Sequence, residues 1–318
     1  MKRLEYIDIM RGVAILLVVF EHCIGSLQDN TAAIILSFHM PLFFFISGCC
    51  FSNSGMRGGE YIMKKIKQLL VPQITLELIT LCSIYVIDVI LTKKMSLSDI
   101  SFGSLFGYWF LPVLFFMYVL MFPIVSLIRS RRTIIIIAFA LYVVFLITEY
   151  NGITYVQQTL CALVFGFMGY LVRPYLDKYL ASKSLFKGLG WVSLLLCAII
   201  SFYNEPVGMY INQYGNKFLF TLTSVLGIFF IFDISVSLRN SLFLQWCGRE
   251  SIIIYVMQFL VVRIVMALLS SIVPGFLYSI YPFYIITFLT VLVILVPIVW
   301  FSDRYLWWAF GKKGRGTL

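Results

Sequence analysis

Residues 6–22 read YIDIMRGVAILLVVFEH. Nine uncharged residues separate Arg11 from Glu21, and the apolar run continues to about residue 27. About 20 such residues, at 1.5 Å of rise each, cross a hydrocarbon core of about 30 Å. Comparable runs follow at about 32–52, 69–92, 105–128, 133–149, 154–172, 185–203, 217–238, 251–273 and 281–301. Of the 318 residues, 61% are hydrophobic and 12% charged, where a soluble domain carries about 25% charged. The expected architecture is an all-α integral membrane protein, a bundle of about ten transmembrane helices. It forms a single domain over residues 1–318, with no extracytoplasmic soluble domain. The first run is too long for a removable signal peptide and is followed by further spans.

The net charge of +10 raises nucleic acid as a partner, but the placement of the charges argues against it. Of the 24 Lys and Arg residues, Lys93, Lys94 and Lys217 fall in one set of connections, and Arg11 and Arg263 fall inside spans. All the others fall in the alternate connections and at the two ends. By the positive-inside rule both termini are cytoplasmic, in agreement with an even number of spans. The partners implied are membrane lipids rather than nucleic acid. Seven cysteines lie mostly inside apolar runs, with no CxxC pair and no Cys/His cluster of zinc spacing, so they read as small packing residues and no metal is expected.

Ionisable side chains inside a span cost roughly 2.5–3.5 kcal/mol each and call for a partner or a purpose. Those in the spans are Arg11, Glu21, His22, His39, Glu77, Asp88, Asp233 and Arg263. Arg11 and His22 are eleven residues apart. At about 100° per residue they fall within about 20° of one another on the same helix face, separated by about 16 Å of rise. A snorkelling arginine and a packed histidine that happen to align would give the same pattern. Asp8, three residues before Arg11, can pair with it. Glu21, adjacent to His22, points about 100° away around the helix and reads as a poor orienter of that ring. His39 in the second span lies at a depth similar to that of His22, so the two can meet if their helices touch. Glu77 and Arg263 are expected to form a buried ion pair, with a substrate-contacting arginine as the alternative.

The segment YIDIMRGVAILLVVFEH, Tyr6–His22, resembles the opening of the membrane acyltransferase-3 family, in which the first span carries an arginine, ten intervening residues and a histidine. FHMPLFFFISG, Phe38–Gly48, resembles that family's second-span motif and, in its His-Met-Pro, the subgroup related to fucose 4-O-acetylase. KKIKQLLVP (Lys64–Pro72), WFLPVLF (Trp109–Phe115) and GRESIIIYVMQ (Gly248–Gln258) are weaker echoes. Lysines stand where arginines are usual, Pro72 is one or two residues late, and Gln258 occupies a position where many relatives place a histidine. No role is therefore carried over to Gln258. The hydrolase-like second domain of some relatives is not found in these residues.

The resemblance implies transfer of an acyl group, most often acetyl, from cytosolic acyl-CoA to a hydroxyl of a cell-envelope glycan, in the bacterial cytoplasmic membrane. His22 would act as general base on the acceptor or carry the acyl group itself, and an imidazole titrating near neutrality suits either task. His39 would position the acceptor or shuttle protons. Arg11, oriented by Asp8, would bind a phosphate of the acetyl-CoA donor, with Lys64, Lys65 and Lys67 adding positive charge. Ser47, Glu77 and Arg263 are the remaining candidates for substrate contact. The rival reading is a transporter or flippase for a sugar or small metabolite, because intramembrane His, Glu and Arg also mark substrate pathways.

Overall fold

The computed structural model describes residues 5–24, 29–52, 55–84, 108–149, 155–181, 188–272 and 281–312. Lys2, Arg3, Asp88, Lys93, Lys94, Lys183, Lys187, Lys313 and Arg315 lie outside the described residues, as do the ends of several expected spans. Thirteen α-helices occur among the described residues: α1 (Glu5–Ile24), α2 (Asn30–Leu36), α3 (His39–Cys49), α4 (Gly58–Lys65), α5 (Val71–Ile84), α6 (Phe110–Leu127), α7 (Arg131–Ile147), α8 (Val156–Ala181), α9 (Leu189–Tyr203), α10 (Lys217–Ser237), α11 (Leu242–Arg249), α12 (Ser251–Ile272) and α13 (Phe283–Tyr305). No strand occurs among these residues beyond one isolated bridge, Gly208 to Gln213.

Among the described residues, six segments are long and apolar enough to cross a membrane: Asn30–Cys49, Phe110–Leu127, Val156–Leu176, Lys217–Ser237, Ser251–Ile272 and Phe283–Tyr305. The chain is thus an all-α, multi-pass membrane protein. Four further apolar helices fall short by that measure for identifiable reasons. In α1 the length suffices, but Glu5, Asp8, Arg11 and Glu21 interrupt it. The described part of α5 is 14 residues long, and α7 and α9 are 17 and 15 residues long. Both α7 and α9 still expose apolar faces, Ile136 and Phe139 on one and Trp191 and Leu195 on the other.

At the centre stands α3, every residue of which is buried. Small residues allow its backbone to meet that of α8. A Cβ on Gly48 would sit 1.9 Å from the Gly166 carbonyl oxygen, and one on Gly169 would sit 2.0 Å from that of Phe45. Cys49 Sγ donates to the Gly169 carbonyl at 3.3 Å across the same contact. Where lipid offers no hydrophobic drive between helices, close packing of this kind holds them together. The short helix α11 docks on α1 in the same way, with Gly248 against the Asp8 carbonyl and Gly12 against that of Leu244.

The second expected span is one crossing built from two helices. Pro41 has no N–H to donate to the Ser37 carbonyl one turn back, and the helix breaks at Ser37–Phe38, where Phe38 takes φ −141°. The freed groups find other partners. Ser224 Oγ of α10 donates to the Ser37 carbonyl at 2.7 Å, and Ser201 Oγ of α9 donates to Ser37 Oγ at 3.1 Å. Broken helices persist at membrane depth when side chains satisfy the backbone in this manner. Ser224→Ala, which leaves a fully buried carbonyl unpaired, is expected to destabilise the protein by about 1–3 kcal/mol. A thermal melt in detergent checks this, and an unchanged midpoint would show that the serine does not carry the break.

Candidate functional site

One stripe of α1 lines two separate cavities. Val18 and His22 face the first, of ≈ 350 Å³. Ile15 and Arg11 face the second, of ≈ 650 Å³. These four positions are spaced by four, three and four residues, which is the repeat of a single helix face.

In the first cavity α1 meets α3, and the two histidines of the chain line the same space. His39 is 3% exposed. Its Nδ1 lies 2.8 Å from the Ile35 carbonyl oxygen. Since a carbonyl only accepts, Nδ1 carries the hydrogen and Nε2 is the nitrogen left for other chemistry. The helix break before Pro41 is what places this ring, because Ile35 lies in the last turn of the preceding helix, Asn30–Leu36. His22 is more open, 35% accessible, with its ring 4.7 Å from that of Phe259. Glu21 Oε2 stands 3.4 Å from His22 Nδ1. This corrects the expectation that Glu21 points away. The two side chains are long enough to close the 100° between neighbouring positions, and both line the cavity. An acidic oxygen at Nδ1 favours the tautomer whose Nε2 can accept a proton. Around these groups stand Tyr108, Trp109, Phe110, Tyr210, Tyr255 and Phe259. Tyr210 belongs to the α9–α10 loop, which Gln158 Nε2 of α8 holds by donating to the Met209 carbonyl at 3.2 Å.

The second cavity is charged. Arg11, Lys65, Arg249 and Lys312 line it, with Glu250 and Asp303. Arg11 Nη2 donates to Cys50 Sγ at 3.5 Å. Lys65, at the end of α4, rests its Nζ 3.4 Å from the centroid of the Tyr118 ring. Burial pushes the Lys65 ammonium down to about 7, and the Lys64 and Arg11 charges push the same way. Ser47 lines this cavity too, and its carbonyl accepts from Tyr118 Oη at 3.3 Å. Among the described residues only Phe110 and Tyr255 line both cavities, and their ring centroids are 5.4 Å apart, so this aromatic pair borders the two spaces.

The other sequence candidates are not brought into these cavities. Asp8 is buried on the α11 side of α1, and Lys64 and Lys67 are exposed. The expected Glu77–Arg263 ion pair is not formed. Glu77 accepts from Gln73 Nε2 at 2.8 Å, while Arg263 is exposed on α12. The helices α5 and α12 do pack together, but matching depth along two helices does not fix which way each residue faces. Gln258 is fully buried, lines neither cavity, and has no hydrogen-bond partner for its amide atoms among the described residues. No disulfide joins any of the seven cysteines. Sequence reasoning missed the aromatic pair and the charges Arg249, Glu250, Asp303 and Lys312. Tyr255, Arg249 and Glu250 lie within the quoted run Gly248–Gln258, which was the available signal.

An embedded imidazole pair whose cavity shares two bordering rings with a basic chamber is the arrangement of a multi-pass membrane protein with a chemical or conductive task. A family model described as an acyltransferase domain matches residues 4–302, so the chain belongs to the acyltransferase-3 family and is of the membrane acyltransferase type. Compared with curated proteins and with solved structures, it shows no significant match.

Proposed function

We propose that the protein transfers an acyl group, acetyl in the simplest case, from cytosolic acyl-CoA to a sugar hydroxyl of the cell envelope. The observation that carries this is the single α1 stripe running from Arg11 in a basic cavity to His22 in an aromatic one. In this reading the chain crosses a bacterial cytoplasmic membrane ten times, adding α1, α5, α7 and α9 to the six longer segments, with both termini in the cytoplasm. The basic cavity then opens inward and the histidine cavity outward.

The basic cavity fits an anionic donor, since four cationic side chains line it against two carboxylates. Arg11, Lys65 and Arg249 would hold the phosphates, and the bound donor would supply an activated acyl group as a thioester. His22 Nε2 would receive the proton of the acceptor hydroxyl, with Glu21 steadying the charged ring from Nδ1. His39, held by the Ile35 carbonyl, would orient the acceptor through Nε2. Aromatic faces such as Trp109 and Tyr210 suit the apolar faces of a sugar ring, and the resemblance of Phe38–Gly48 to the fucose 4-O-acetylase subgroup favours a glycan. The four cations of the inner cavity suit a polyphosphate donor, which a carrier of a neutral sugar does not require.

Donor binding gives a direct test through Lys65. A phosphate beside this group stabilises its ammonium form. Below about pH 7 the charge is already present, and above it binding must take up a proton. The affinity for coenzyme A should therefore fall as pH rises above neutrality, by up to about 10-fold per pH unit for one proton. Isothermal titration of the protein in nanodiscs should show this slope in wild type. Lys65→Met should keep only the part that belongs to the ligand's own phosphate. Arg11→Ala should weaken binding at every pH. Wild-type affinity in Arg11→Ala would remove the donor from this cavity.

A further inference from the structure

The basic cavity contains its own opposing charge, and one lysine contacts both carboxylates. Glu250, at the junction of α11 and α12, is buried, and Asp303 stands in the last turns of α13. Lys312 Nζ reaches both, contacting Glu250 Oε2 and lying 2.6 Å from Asp303 Oδ1. Lys312 arrives on the segment that follows the 3-10 turn Trp307–Phe310. That segment is seated against the start of α5 and the π-helical turn Ile66–Leu70 before it. Thr75 Oγ1 donates to the Ala309 carbonyl at 2.7 Å. Gly311 takes φ +63°, and a Cβ there would lie 2.0 Å from the Lys67 carbonyl oxygen. Glycine alone fits this turn, and it delivers Lys312 into the cavity wall.

Resting on the donor reading of this cavity, we propose that Lys312 is a positioning residue that neutralises Glu250 and Asp303. The other charges facing the cavity are Arg11, Lys65 and Arg249. With Lys312 in place the two carboxylates are masked, and those three cations define the field that an incoming polyphosphate meets. Without it, a buried carboxylate faces the cavity uncompensated and repels the same phosphates. Lys312 thus acts on the donor through Glu250 and Asp303 rather than by touching it.

The test uses the full-length protein in nanodiscs and two probes, coenzyme A and S-acetylpantetheine, which lacks the phosphates. Lys312→Met should raise the Kd for coenzyme A roughly 10-fold, as expected for an unmasked unit charge about 12 Å from the phosphates at an effective dielectric of about 20. It should leave S-acetylpantetheine affinity unchanged. The second variant, Lys312→Met with Glu250→Gln, should recover coenzyme A binding to within about 3-fold of wild type, and a melting midpoint lowered by the single change should recover with it. Wild-type coenzyme A affinity in Lys312→Met overturns the proposal. So does a loss that persists in the double variant, or an equal loss for both probes, which would mark a structural strap only. Wild-type protein that binds no coenzyme A while it melts cooperatively defeats the donor reading itself, and is thereby distinguished from failure of Lys312 alone.

Discussion

His22→Ala protein should insert, fold and bind coenzyme A as wild type does, while its acyl transfer falls by about 100- to 10,000-fold, the range of a lost general base. The stability should hold because the ring borders a cavity and is 35% accessible, so its removal opens no new buried void. Donor binding should hold because His22 is about 16 Å of helix rise from Arg11, beyond the Phe110–Tyr255 rings. His39 has the separate task of orienting the acceptor through Nε2, its Nδ1 being held by the Ile35 carbonyl, so the rate lost with His22 should not return through it. Glu21→Gln, which keeps the shape but removes the charge at Nδ1, should lower transfer less than His22→Ala. Transfer rates measured with saturating donor in nanodiscs decide the matter. A His22→Ala protein as fast as wild type would end both the base and the acyl-carrier roles.

The second large effect is structural. Gly48→Leu should abolish the folded protein or destabilise it by about 3 kcal/mol or more, at the upper end of overpacking costs. Even a methyl group at this position would sit 1.9 Å from the Gly166 carbonyl oxygen, so α3 and α8 must separate. Their separation would move His39 and Ser47, which share α3, in both cavities at once. Gly59→Ala, with nothing within 4 Å of its Cβ position, is the matched control and should melt like wild type. Fluorescence-detected chromatography of both variants after heating would show it. Equal stability of Gly48→Leu and wild type would mean that the helices do not meet as described.

What the sequence disclosed and what it hid have physical reasons. The α1 stripe was legible because both of its ends lie on one helix, where periodicity alone fixes direction. That His22 and His39 line one cavity is in keeping with their similar depth on α1 and α3. Depth failed for Glu77 and Arg263, where the facing of each residue on its own helix decides contact. The second span reads as one apolar run from 32 to 52, and the break at Ser37–Phe38 depends on Pro41 together with serines of α9 and α10 distant in sequence. Glu21 was misjudged because the angle between Cβ directions says little about the reach of a three-carbon side chain. Lys312 was one of the basic residues counted for orientation, and Glu250 and Asp303 entered no such count. Their pairing spans 62 and 9 residues of chain and appears only when α11, α13 and the segment after Phe310 converge.

The central claim is that this bundle passes an acyl group from a cytosolic thioester to a sugar hydroxyl. The most direct measurement supplies purified wild-type protein in nanodiscs with radiolabelled acetyl-CoA and an envelope-glycan acceptor. Free coenzyme A and label on the glycan are followed together. The account predicts release of coenzyme A matched by alkali-labile label on the acceptor. No turnover of any acyl-CoA, with sugar flux across liposomes containing the same protein, would contradict it and identify a transporter.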